Sequence, residues 1–73
     1  MRDNLKKARQ KAGMTQQQVA EYLHIAERYY KQIESAERLG AISIWDQLED
    51  LFSTHQRILR VTSENHLGKA NNQ

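Results

Sequence analysis

The chain has no cysteine and no proline, and only three glycines, one tryptophan and one phenylalanine among its 73 residues. Without cysteine there is no disulfide staple and no thiolate metal site. Without proline nothing breaks a helix from within, and so few glycines favour helices joined by short connections. No apolar run approaches the length of a membrane span, and no signal-peptide pattern opens the chain. Catalytic signatures are missing too: there is no HExxH, no glycine-rich phosphate loop and no Ser-His-Asp set in a recognisable context. His24, His55 and His66 have no second ligand at metal spacing. The expectation is a cytoplasmic protein that is not an enzyme and needs neither cofactor nor metal.

A large excess of one charge is also missing, since 11 Lys and Arg stand against 9 Asp and Glu. The charges are nevertheless sorted along the chain. Residues 1–12 balance at +4, residues 13–40 at −1, residues 41–52 at −3 and the remainder at +2. A basic end and an acidic segment suit a molecule with one phosphate-facing side; the plainer alternative is a solvated helix face. The length suffices for one small domain, which buries only a modest core.

Apolar spacing divides the chain into helices. Leu5, Ala8 and Ala12 recur at three and four, predicting helix 1 over Asp3–Ala12, capped by Asp3 or Asn4. Gly13 stands where a left-handed helix end is needed, and Met14 is expected to be buried. Thr15 and Gln18 form a capping box that starts helix 2, Gln16–Leu23. Helix 3 is expected over Glu27–Ala36 behind a poor cap, Ala26. Helix 4 is expected over Ile42–Phe52, with Ile42, Trp45, Leu48, Leu51 and Phe52 as its apolar face. Ser53 and Gln56 suggest a second capping box and a helix 5 over Thr54–Val61. Residues 62–73 lose periodicity and read as a flexible polar tail.

The stretch Thr15–Glu34 organises the rest. Val19 and Leu23 share one helix face, Tyr30 and Ile33 share another, Ile25 can plug the corner, and Ala20 is small where two helices would cross. This is the pattern of a helix-turn-helix, spanning residues 15–36, whose second helix enters the DNA major groove. The run LKKARQKAGMTQQQVAEYLHIAERYYKQIE, and KAGMTQQQVA above all, resembles the Cro/repressor type of regulator, the XRE family of bacterial and phage proteins. The resemblance covers about Leu5 to Phe52. It implies an all-α, lambda-repressor-like bundle of five short helices over residues 1–61, and a nucleoid-associated regulator of bacterial or phage type with double-stranded DNA as its partner. His24 departs from the pattern, because relatives carry Gly at that corner.

The candidate site follows. Arg28 and Gln32 lie four apart on the outer face of helix 3; Arg can grip guanine O6 and N7, and Gln can do the same for adenine N6 and N7. Glu27 can accept from cytosine, and Lys31 can reach guanine or phosphate. The resemblance carries base reading onto Glu27, Arg28, Lys31 and Gln32. It carries phosphate binding onto Gln16 and Ser35, with Arg38 a further candidate; Tyr29 can either touch phosphate or pack. The alternative for each is an exposed residue without a contact. Arg9 and Glu34 match positions that pair in relatives, so a structural ion pair is expected there. One such domain touches few base pairs, so a homodimer on two half-sites is expected, joined through the helix 4–5 region by Leu51, Phe52, Ile58 or Leu59. The competing reading is a protein-interaction module or antitoxin that keeps the fold and has a protein partner.

Overall fold

The computed structural model describes residues 1–62, and these are folded as five helices with no strand among them. The tail expected over 62–73 lies outside the described residues, Thr62 apart. In chain order the helices are α1 (Asp3–Lys11), α2 (Gln16–Leu23), α3 (Glu27–Glu34), α4 (Ile42–Phe52) and α5 (Gln56–Leu59). Leu5, Val19, Ala20, Leu23, Tyr30, Ile33, Ile44, Trp45, Leu48 and Leu59 form one core to which every helix contributes.

The corner between α2 and α3 is built from local signals. Thr15 Oγ1 accepts from the Gln18 N–H at 3.1 Å, and Gln18 Oε1 accepts from the Thr15 N–H at 2.8 Å. Two donors left free by the helix start are thereby satisfied. Val19, Ala20 and Leu23 then face inward. His24 takes a left-handed conformation with φ 60°, which ends α2 and lets the Ile25 N–H return to the Ala20 carbonyl at 3.0 Å. Ile25 packs against the core from this corner. Gly13, at φ 71°, makes the equivalent turn after α1. Met14, expected to be buried, is half-buried against the core.

Several boundaries differ from the sequence expectation. Neither Asp3 nor Asn4 caps α1: the cap position is Arg2, without a side-chain cap bond. Asp3 sits in the first turn, and Asn4 Nδ2 instead donates to the Ile58 carbonyl at 3.1 Å, joining α1 to α5. Helix α3 stops at Glu34, because Ala36 turns left-handed at φ 73°. Ser53 does not cap α5, since at φ 51° it is the left-handed end of α4, whereas an N-cap needs extended backbone. His55 takes that role, its Nδ1 accepting from the Arg57 N–H at 3.1 Å. Gln56 turns to α4 and donates to Asp46 and Glu49 at 2.8 and 3.1 Å. The inward face of α4 is Ile44, Trp45 and Leu48, with Leu51 and Phe52 half-buried; Ile42, expected inside, is 79% exposed.

Arg2 ties these pieces together. It is 5% exposed. Its Nη1 donates to the carbonyls of Ile33 and Arg38, and its Nε donates to that of Arg60. The guanidinium also lies 5.3 Å from the Trp45 ring centre, within cation–π range. Its backbone N–H donates to the Glu34 carbonyl at 2.8 Å. One cation thus satisfies carbonyls at the ends of α3 and α5, where the helix dipoles favour positive charge.

Candidate nucleic-acid interface

Behind α3, three helices meet on one carboxylate. Glu34 is 3% exposed. It accepts from Arg9 Nε at 2.9 Å, Arg9 Nη2 at 3.1 Å, Gln16 Nε2 at 3.1 Å and the Tyr30 hydroxyl at 2.8 Å. Arg9 comes from α1, Gln16 from α2 and Tyr30 from α3 itself. The planar fork of Arg9 matches the two carboxylate oxygens, a geometry that lysine cannot reproduce. Its Nη1 also donates to the Met14 carbonyl at 3.0 Å, fixing the α1–α2 turn. The hydrogen bond to Glu34, aided by its charge, holds the Arg9 guanidinium above its ordinary range. The network fixes α3 in place from its rear, which presents the opposite face to solvent.

Burial, reinforced by the Glu34 charge, pushes the Tyr30 hydroxyl far above its ordinary value of 10.0. Ionising Tyr30 is therefore harder in the folded chain than in the unfolded one. Its contribution is complete below pH about 10 and drains away as pH rises beyond that, because the unfolded state then gains by losing the proton. Tyr30→Phe is expected to cost about 1–2 kcal/mol at neutral pH through the lost hydrogen bond to a charged group. It is also expected to flatten the decline of stability between about pH 10 and 11.5. Urea midpoints measured across that range check this; a decline as steep in the variant as in the parent would place its origin elsewhere.

On the outer side, Gln16, Arg28, Lys31, Gln32 and Ser35 line a single open hollow, together with Glu37. Two of the four expected phosphate ligands and three of the four expected base readers thus share one surface. Arg28 and Lys31 are exposed and Gln32 is half-buried. Glu27 lies apart from the hollow's lining, its carboxylate 3.7 Å from Lys31 Nζ in an i,i+4 pair. Arg38 is exposed in the loop beyond α3, its Nε donating to Gln32 Oε1 at 2.8 Å. Ser35 spends its hydroxyl proton on the Gln32 carbonyl at 3.1 Å, and Gln16 spends an amide proton on Glu34. Tyr29 is half-buried against the core. Sequence reasoning missed Glu37, which brings a negative charge to the hollow's rim. It also missed Arg2, which holds the carbonyl end of α3, and no local pattern marks either residue.

A short helix, a left-handed corner and a second helix with one buried and one solvent-facing side define a helix-turn-helix DNA-binding domain. A family model described as helix-turn-helix matches residues 5–53, about two thirds of the chain, and the protein belongs to that family as a Cro/repressor-type, XRE-like domain of lambda-repressor-like fold. Searches of curated proteins and of solved structures gave no significant match. No helix among the described residues is long and apolar enough to cross a membrane.

Proposed function

We propose that the protein is a sequence-specific transcriptional regulator that lays α3 in the major groove of double-stranded DNA. The observation that carries this reading is the shared surface of Gln16, Arg28, Lys31, Gln32 and Ser35. Arg28 and Gln32 supply donors at the spacing needed to read neighbouring base edges. The start of α2 and the loop at Arg38 flank them with groups suited to phosphate. A homodimer supplies the second half-site, formed through the α4–α5 surface, where Leu51 and Phe52 are half-buried and Ile58 is 48% exposed. Leu59 cannot serve there, because it is fully buried in the core.

Selection from a random duplex pool tests the reading, with wild type and Arg28→Ala in parallel. Wild type is expected to enrich a two-fold motif, and Arg28→Ala to lose preference at one base pair per half-site, a loss of about 1–3 kcal/mol at that position. Affinity for the selected site is expected to fall roughly 100-fold between 50 and 200 mM salt if about four phosphates are contacted. Enrichment of nothing at low salt sinks the proposal. It would favour the second reading, a protein-interaction module or antitoxin, for which the exposed Ile42 and the acidic residues Asp46, Glu49 and Asp50 of α4 speak.

A further inference from the structure

The loop after α3 returns over the helix end through a left-handed residue, a common way to close a helix. The N–H groups of Glu37 and Arg38 both donate to the Gln32 carbonyl, at 2.9 and 3.2 Å. The left-handed Ala36 makes this reversal possible. The Arg38 carbonyl is held in turn by the buried Arg2, at 3.0 Å. Arg38 is therefore anchored at both ends of its backbone, six residues on from Gln32 and beside it. Its side chain uses that placement: Nε donates to Gln32 Oε1 at 2.8 Å.

We infer that Arg38 is a positioning residue for base reading, which locks the side-chain amide of Gln32 in one orientation. This rests on the proposal that α3 reads DNA. The chemistry leaves one choice, because a guanidinium N–H only donates, so the amide atom facing it must be the oxygen. The Gln32 nitrogen, with its two protons, must then point the other way. An unrestrained glutamine amide can turn over and satisfy different base edges, exchanging donor for acceptor at little cost. A locked one presents a single pattern and rejects the bases that need the other. In water the bond is weak, since both groups lie near the surface. In a groove that excludes water the same bond strengthens, so the lock acts when the base is being read. The two Nη groups of Arg38 stay available for a neighbouring phosphate, which would tie backbone docking to base choice.

Competition binding tests this with the selected duplex and its three single-base-pair replacements at the position that Gln32→Ala identifies. Arg38→Met keeps an unbranched stem but removes every donor; lysine would not serve, because its ammonium also only donates and could hold the same oxygen. Arg38→Met is expected to retain the melting temperature of wild type and to lose affinity evenly across the duplexes with the missing charge, while discrimination at the Gln32 base pair falls by about fivefold. Discrimination at the Arg28 base pair is expected to stay unchanged. In a Gln32→Ala background Arg38→Met is expected to have no further effect on selectivity. Unchanged discrimination in Arg38→Met, with Gln32→Ala still losing it, overturns the positioning role and leaves base reading intact. Absence of any base preference in wild type overturns base reading, and the positioning role with it.

Discussion

Replacing Glu34 with alanine is expected to cost about 3–5 kcal/mol, the usual toll for breaking a buried ion pair from one side. A domain of this size holds roughly 4–10 kcal/mol in total, so the substitution removes a large share of its stability. The loss is large because four donors converge on one carboxylate. Alanine leaves the Arg9 guanidinium, whose side chain is 12% exposed, without its counter-charge, and the Tyr30 hydroxyl without its acceptor. Glu34→Gln keeps the shape and one acceptor oxygen, so it should lose about half as much. Urea denaturation of the two variants beside wild type gives the comparison; a loss below about 1 kcal/mol in Glu34→Ala would show that the network contributes little beyond its packing.

The second large effect separates two neighbouring residues. Leu59→Asp is expected to cost more than about 4 kcal/mol, because it places an unpaired carboxylate where a leucine is fully buried. Ile58→Asp, one residue earlier and 48% exposed, should cost only about 1 kcal/mol and leave the domain folded. If the proposed dimer uses α5, Ile58→Asp should still weaken operator binding at least tenfold through loss of the second half-site. Circular dichroism melts and operator titrations on both variants give the answer. A folded Ile58→Asp that binds as wild type does would remove α5 from the dimer contact.

What could be read from the sequence was what is decided locally. The capping box of Thr15 and Gln18 lies within one turn, and so does the left-handed ending at Gly13. Both occur where the spacing put them. Trp45 is buried, as a lone tryptophan in an apolar stripe suggests. Features decided by partners far along the chain were harder to see. Arg2 sits in a basic N-terminal run and looks like a solvated residue. Its burial depends on carbonyls 31, 36 and 58 positions away. On α4 the spacing from Trp45 pointed to Ile42, three residues before it, whereas the buried isoleucine is Ile44, four before Leu48. The structure chooses Ile44 because Ile42 stands at the first residue of the helix, facing away from the core. Ser53 was expected to cap α5, and instead it ends α4 in a left-handed turn. In the candidate interface, residue types and spacing along α3 were legible. The internal engagements of Gln16, Gln32 and Ser35 were not, since each depends on a neighbour brought in by the fold.

Five positions among the described residues take positive φ, and three of them, His24, Ala36 and Ser53, carry side chains. Each side chain in that region strains the backbone by roughly 1 kcal/mol relative to glycine. The domain therefore works below the stability its own architecture permits. If α3 reads bases as proposed, a lineage altering that preference could offset a destabilising change there at His24 or Ser53, outside α3 and the lining of its hollow. The strained corners leave α3 latitude to diverge.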